Sequence, residues 1–223
     1  MKKDTKDLKK INITKESLDM VNHIIKNMDG KSFHNHYHIL FDICNDLGKN
    51  NITYLEIGAY CGGSASLVST NKNVSKVYSI DIGKPISKEI PIKNVNKFKH
   101  DNCYYEYVQG DSMSNNVIDL VKSKIEKVDV LFIDGDHTYN AVINDFNNYK
   151  DLVNEGGFIV FDDYNDKNHS PQVFPAVNDI VKTLDTDEYE IIGSLVYDLL
   201  KMTNIPHFSE SNEFILRKKY LNE

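Results

Sequence analysis

The chain has 223 residues, enough for one large α/β domain and short for two. Its net charge of −7 at pH 7 argues against a nucleic-acid-binding or membrane-surface protein, because both functions need clustered cations. No apolar run is long enough to cross a bilayer, the N-terminus leads into no apolar signal region, and the three cysteines show no disulfide-like spacing. We therefore expect a cytoplasmic protein.

Residues 1–50 are predicted to form an N-terminal helical extension on the substrate or oligomer side. Apolar spacing predicts one helix over 13–28, capped by Thr14, and a second over 32–47. The second begins with three histidines, which are His34, His36 and His38. The first and last would share a helix face, as in a zinc pair, but no third ligand lies nearby in sequence. We favour surface packing or one wall of the substrate pocket.

A strand, a glycine-rich loop and a helix follow in order. Residues 52–57 predict the strand, 58–64 the loop and 65–69 the helix. This order lets backbone approach a nucleotide closely. The loop is not a dinucleotide fingerprint, because Tyr60 stands two residues after Gly58, and it lacks the Gly-Lys-Ser or Gly-Lys-Thr ending of a P-loop.

The next two strands also end in polar residues. Strand 76–81 ends in Asp81, and an acid at this point commonly accepts hydrogen bonds from ribose hydroxyls. Strand 105–109 is followed by a glycine and then Asp111 and Ser112. A turn role for Asp81 is the simple alternative.

Two later strands end in acid clusters. Residues 128–133 and 156–161 are short apolar runs typical of strands buried on both faces, separated by a helix predicted over 139–153 and ended by a Gly-Gly pair. The residues that follow the two runs are Asp134, Asp136, His137, Asp162 and Asp163. Ligands of parallel sheets lie at the carboxyl ends of the strands, so we predict a site here rather than turn residues alone.

Two segments of the sequence are each compatible with more than one structural role. The polar connection 83–103, with one short helix near 95–99, is typical of a lid or substrate loop. The apolar segment 195–206 could form a hairpin, a pocket wall or an oligomer contact, and its periodicity does not choose between these.

Together these motifs resemble the class I S-adenosylmethionine-dependent methyltransferases. The segment 55–64 looks like that family's Glu-x-Gly-x-x-x-Gly loop, and the resemblance covers roughly 52–217. It implies a Rossmann-like, doubly wound α/β fold over 51–223, with a mostly parallel sheet of about seven strands whose last strand is antiparallel. The cofactor-binding residues that it implies are Glu56, Gly58, Ala59, Tyr60, Gly62, Ser64, Asp81, Asp111, Ser112 and Asp134.

The two acid clusters resemble a metal-dependent subgroup that includes macrolide-sugar O-methyltransferases and cephalosporin-hydroxylase-like proteins. The resemblance implies that Asp134, Asp162 and Asp163 hold magnesium. It also implies His137 as the general base, with Asp134 as its catalytic neighbour. Relatives often have Glu-Asp where this chain has Asp162-Asp163. Asp136 is assigned to the turn or to support of the site.

The predicted function is magnesium-dependent O-methylation of a sugar or glycan hydroxyl by S-adenosylmethionine. The sulfonium is already a good leaving group, so the protein has to align an oxygen and remove its proton. A catechol or a different small molecule could replace the sugar as acceptor. Two further functions fit the predicted fold: an NAD-type oxidoreductase, whose glycine fingerprint this chain lacks, and a non-catalytic cofactor-binding protein. The expected partner is the small-molecule or glycan substrate, without nucleic acid or membrane, and a homo-oligomer is left open.

Overall fold

A seven-stranded sheet forms the centre of the molecule. The structure is a computed structural model that describes residues 11–31, 35–198, 208–210 and 212–220. The strands of the sheet are β1 Ile52–Ile57, β2 Val74–Asp81, β3 Tyr104–Gln109, β4 Val128–Ile133, β5 Val153–Phe161, β6 Tyr189–Gly193 and β9 Phe214–Lys218. Their order is β3-β2-β1-β4-β5-β9-β6. Strand β9 runs antiparallel to both of its neighbours and the other pairs are parallel, which confirms the predicted fold class.

Seven α-helices accompany the strands in the described residues. They are α1 Lys15–Asn27, α2 His38–Asp46, α3 Gly63–Val68, α4 Glu89–Phe98, α5 Asn115–Lys124, α6 Tyr139–Tyr149 and α7 Val173–Thr183. Thr14 caps α1 as predicted, because its side chain accepts a hydrogen bond from the Ser17 backbone N–H. A 3₁₀ turn, Asn35–Tyr37, leads into α2. In this part of the chain no helix has the length and apolar character needed to cross a membrane.

The boundary between α6 and β5 differs from the prediction. The predicted helix 139–153 ends at Tyr149, a 3₁₀ turn covers Lys150–Leu152, and β5 begins at Val153. Gly156 and Gly157 therefore lie inside the strand rather than at a helix end. A side chain at Gly157 would come within 2.8 Å of the Asp129 carbonyl oxygen, so this glycine permits close approach of β5 to β4.

Two helical layers cover the two faces of the sheet, because successive strand residues point to opposite sides. On one face, α1 to α4 pack on Tyr54 and Phe132. On the other face, α5, α6 and α7 pack on Leu55 and Leu131. All four of these sheet side chains are fully buried. The two N-terminal helices therefore pack into the same hydrophobic core as one face of the sheet.

Of the apolar segment 195–206, the structure describes only residues 195–198. Strand β7 (Val196–Asp198) pairs antiparallel with β8 (Phe208–Glu210) in a separate two-stranded sheet. This pairing agrees with the hairpin assignment, while residues 199–207 lie outside the described residues.

Candidate functional site

A cavity of about 550 Å³ opens at the carboxyl ends of the parallel strands. This volume is in the usual range for a small-molecule site. Most residues predicted to bind a cofactor line it, namely Gly58, Ala59, Tyr60, Asp81, Asp111, Ser112 and Asp134. His137 and Asp136 lie on the same wall. The topology therefore brings the glycine loop and the first acid cluster to one space.

The glycine loop is held between β2 and β4 by backbone geometry. Gly58 has a φ of +94°, and a Cβ there would lie 1.8 Å from the carbonyl oxygen of Asp134. Its backbone N–H donates to the carbonyl oxygen of Ile80 at 2.8 Å. Only glycine allows both the positive φ and this close approach, so the loop can present bare backbone to the cavity.

Asp81 ties the loop to the end of β2. Its carboxylate accepts hydrogen bonds from the backbone N–H groups of Ala59 at 2.8 Å and Tyr60 at 2.9 Å. The other oxygen accepts from the Gly83 N–H at 2.6 Å. A carboxylate has about four acceptor positions, so Asp81 retains capacity for a ribose hydroxyl at the cavity wall. The predicted ribose contact stays a prediction.

Glu56, which the sequence assigned to the cofactor, lies behind the loop instead of on the cavity wall. It is fully buried and accepts hydrogen bonds from the hydroxyls of Ser64 and Ser79, both at 2.7 Å, and of Tyr54 at 3.2 Å. Burial raises the pKa of Glu56 to about 7. Glu56 and Ser64 therefore join β1, β2 and the start of α3, and Gly62 caps α3 at a φ of +79°. These three residues support the glycine loop on the side that faces away from the cavity.

The opposite wall is fixed by a buried polar network. The Ser112 hydroxyl donates to Asp145 at 2.7 Å, and the Tyr149 hydroxyl donates to the Ser112 carbonyl at 2.8 Å. Burial raises the pKa of Asp145 to about 6. Asp111 accepts from the Met113 N–H at 2.9 Å, which closes its turn. The sequence predicted a helix over these positions but gave no signal for the polar roles of Asp145 and Tyr149.

The two acid clusters meet as the sheet topology predicts. Ile133 pairs with Phe161 in the parallel register, so Asp134 and Asp162 leave adjacent strand ends. Asp162 and Asp163 are both buried. The pKa of Asp134 lies well above its usual range, first because of burial and then because of the nearby carboxylates of Asp162 and Asp163. Carboxylates this close repel one another, and a cation beside them would relieve that repulsion.

His137 lies between two of these acids. Its Nε2 is 3.2 Å from Oδ1 of Asp134, and its Nδ1 is 2.8 Å from Oγ of Ser170. The Ser170 hydroxyl donates to Asp163 at 2.6 Å. A serine hydroxyl has one hydrogen, so Ser170 has to accept from the Nδ1–H of His137. The hydrogen bond between Nε2 and Asp134 then needs one proton, carried either by Nε2 or by the Asp134 carboxyl. Ser170 lies in a polar loop, and sequence reasoning missed it.

The N-terminal segment closes the site from a third side. The Tyr37 hydroxyl donates to Asp134 at 3.2 Å, and Tyr37 lines the cavity next to the histidine cluster, for which surface packing or a pocket wall was predicted. His36 Nε2 lies 3.0 Å from Asp162 Oδ1 and 3.8 Å from Glu213 Oε1. Burial alone would lower the pKa of His36, but the carboxylates of Glu213 and Asp162 outweigh it and raise that pKa to about 10.

A group of potential metal ligands emerges that the sequence did not predict as a set. Among the described residues, His36, Asp162 and Glu213 offer ligand atoms that all lie within 4.8 Å of one another. Asp163 is turned towards His137 and Ser170 instead. The histidine cluster was the one sequence signal, since Glu213 comes from the far end of the chain. His34 lies outside the described residues, and His38 is buried in α2.

Comparisons with known proteins agree with this architecture. Residues 55–164 match a family model described as a methyltransferase domain. An uncharacterised protein of Acanthamoeba polyphaga mimivirus is 40% identical over 203 residues, which cover 87% of this chain and 92% of that protein.

Solved structures show the same fold. An O-methyltransferase from Bacillus cereus, solved with SAH, is 17% identical with a TM-score of 0.62 and covers 95% of this chain and 93% of that chain. The MycE methyltransferase of the mycinamycin pathway, solved with Mg and SAH, is 17% identical with a TM-score of 0.61. The match covers 95% of this chain but only 57% of MycE. The chain therefore belongs to one family with the mimivirus protein, and residues 55–164 form a methyltransferase domain with the fold of these solved structures.

Proposed function

We propose that the protein is a magnesium-dependent O-methyltransferase that acts on a hydroxyl group of a sugar or glycan. The observation that carries the proposal is that His137 and Asp134 line the same cavity as the glycine loop and Asp81. The proposed base, the first acid cluster and the residues proposed to bind the cofactor therefore surround the same cavity. Transfer to oxygen needs this arrangement, because the acceptor must lose its proton beside the methyl donor.

The acid cluster fits a hard divalent cation. Asp134, Asp162 and Asp163 offer carboxylate oxygens, the ligands that magnesium prefers. Their mutual repulsion, expressed in the raised pKa of Asp134, is relieved by a cation. When bound, magnesium would polarise an acceptor hydroxyl and lower its pKa. MycE, which shares the fold, was solved with Mg, SAH and mycinamycin VI.

His137 is the base in this proposal. Ser170 and Asp163 hold its Nδ1–H, so Nε2 is the nitrogen left to take the acceptor's proton. As the proton moves to Nε2, the oxygen forms its bond to the methyl carbon. The carbon–sulfur bond breaks and its electron pair stays on sulfur, giving S-adenosylhomocysteine. Asp134, 3.2 Å from Nε2, stabilises the imidazolium that results.

We propose a sugar acceptor because His137 follows the pattern of the macrolide-sugar enzymes. We also propose a cytoplasmic location, since Cys44, Cys61 and Cys103 are buried free thiols, as in proteins of reducing compartments. The net charge of −7 is consistent with a small-molecule or glycan substrate and disfavours nucleic acid.

Mass spectrometry tests the proposal directly. The purified protein is incubated with S-adenosylmethionine and a panel of nucleotide-sugars, glycans and catechols, with magnesium or with excess chelator. We expect a mass increase of one methyl group on a sugar acceptor that needs magnesium. Transfer to catechols alone would replace the acceptor class, and undiminished transfer in chelator would refute the metal requirement. Calorimetric binding of NAD without binding of S-adenosylmethionine would refute methyl transfer itself.

A further inference from the structure

Three distant parts of the chain meet beside the acid cluster. His36 comes from the 3₁₀ turn before α2, Asp162 follows β5, and Glu213 precedes β9. We propose that His36 and Glu213 are metal ligands together with Asp162, so that the cation site is a mixed nitrogen–oxygen site. In this arrangement His36 and Glu213 take the places that the proposed function gives to Asp134 and Asp163. A mixed site of this kind should bind Mn²⁺, the probe for first-row transition ions, more tightly than Mg²⁺. The inference rests on the proposed function only in assuming that a cation binds at Asp162.

The ligand atoms of the three side chains all lie within 4.8 Å of one another, and two of the distances between them are close to those between ligands of one ion. His36 Nε2 lies 3.0 Å from Asp162 Oδ1 and 3.8 Å from Glu213 Oε1. Nitrogen and oxygen ligands bind such ions at about 2.0–2.2 Å, so neighbouring ligands of one ion lie roughly 3.0–3.6 Å apart. An ion placed between these atoms would need only small side-chain adjustments.

The backbone builds two of the ligands into a rigid frame. Phe161 pairs with Phe214 across the antiparallel β5–β9 ladder, so Asp162 and Glu213 stand opposite each other at its end. Both carboxylates are fully shielded from solvent, and the His36 side chain is 17% exposed. Two buried carboxylates side by side are costly unless a positive charge lies between them. A protonated His36 supplies that charge in the ion-free cluster, and a divalent ion with a neutral imidazole would supply it in the same place.

The backbone at Asp163 separates the two consecutive acids. Asp163 has a φ of +56°, a left-handed conformation that is uncommon outside glycine. Its carboxylate is bonded to Ser170 and lies 3.2 Å from His137 Nδ1, whereas Asp162 faces His36. The structure thus assigns Asp163 to the base and Asp162 to the ion. An imidazole ligand in place of a third carboxylate shifts the preference from magnesium towards transition ions.

Direct binding measurements test the assignment without relying on activity. Mn²⁺ and Mg²⁺ titrations by calorimetry compare the wild-type protein with His36→Ala, His36→Gln and Glu213→Gln. The controls are His23→Ala and Glu126→Gln, since both side chains are exposed and remote from the acid cluster. We expect tighter binding of Mn²⁺ than Mg²⁺ by wild type, and a loss of roughly tenfold or more in Mn²⁺ affinity in each test variant. The controls should bind as wild type does.

Electron spin echo spectroscopy of the bound Mn²⁺ identifies the ligand. An imidazole nitrogen coupling is expected in wild type and absent in His36→Gln. The Gln variant keeps the size of the side chain, so it serves where His36→Ala fails to fold. Wild-type Mn²⁺ affinity in both His36→Gln and Glu213→Gln, or a spectrum without nitrogen coupling, would overturn the inference but leave the three-aspartate magnesium site intact. A wild-type protein that binds neither cation would refute both the inference and the metal part of the proposed function.

Discussion

Replacing Glu56 by glutamine should change how the stability of the protein depends on pH. The Glu56 carboxyl is fully buried and its pKa is raised to about 7, against 4.5 for an exposed glutamate. The native state therefore holds the proton more tightly than the unfolded chain does. The protonated Glu56 carboxyl contributes most to the free energy of unfolding at pH values below the pKa of the unfolded chain. This contribution is lost as the pH rises from about 4.5 through about 7. Above that range the buried carboxylate is charged and stabilises the fold least.

The size of the effect follows from the two pKa values. They are 4.5 and about 7, so they differ by about 2.5, and each unit is worth about 1.4 kcal/mol. The native state should therefore lose up to about 3 kcal/mol of unfolding free energy through this group between about pH 4.5 and pH 8. In Glu56→Gln the side chain is neutral at every pH, so this contribution to the pH dependence disappears.

Urea unfolding at several pH values between about 4.5 and 8 measures the effect. The quantity to follow is the wild-type free energy of unfolding minus that of Glu56→Gln, because the remaining titrating groups are common to both proteins. We expect this difference to fall by about 3 kcal/mol with rising pH. The matched control is Glu126→Gln, an exposed position, for which the difference should stay flat. A flat difference for Glu56→Gln as well would refute the buried, raised-pKa carboxyl.

Further substitutions test the loop and the base. Gly58→Ala should abolish cofactor binding in calorimetry and lower the unfolding free energy by more than about 2 kcal/mol, because the new Cβ would lie 1.8 Å from the Asp134 carbonyl oxygen. His137→Ala should keep cofactor affinity but reduce turnover by about 10²–10⁴-fold, and recovery of the rate with added magnesium would contradict its role as base. Ser170→Ala should lower kcat by about tenfold with an unchanged KM for S-adenosylmethionine. Ser170→Thr, which keeps the hydroxyl, should restore most of the rate.

The sheet could be predicted from sequence because its strands carry a strong local signal. Strand β4 was predicted at Val128–Ile133 with its observed bounds, since six successive buried positions leave a continuous pattern. The start of β5 could not be predicted the same way. Gly156 and Gly157 read as a stop signal, but Gly157 permits the close approach of β4 and Gly156 leaves room for the Tyr220 side chain, and both are tertiary contacts.

The same distinction between local sequence signals and tertiary contacts applies to the candidate site. The meeting of Asp134 and Asp162 follows from strand order alone, because the ends of adjacent parallel strands meet at one edge. Glu56 belongs to the motif predicted to bind the cofactor but lies behind the loop, because a motif records which residues recur near a cofactor and not whether they line the cavity. Ser170 and Glu213 lie in a loop and at a strand start, where no periodic pattern marks a side chain as functional. Only the three-dimensional contacts bring them to His137 and His36.

The histidine segment before α2 contacts the acids at the ends of β4 and β5. Tyr37 donates to Asp134 while His36 lies against Asp162, so adjacent residues contact both strand-end acids. Tyr37 also packs edge-on against Phe132 of β4, which anchors the segment to the sheet that carries Asp134. The segment thus has an apolar attachment to the core and polar contacts to the acids. Because these acids repel one another, any change that removes His36 alters the charge balance of the whole cluster, including the carboxylate beside the proposed base. The residues before α2 therefore connect the N-terminal helices to the candidate site.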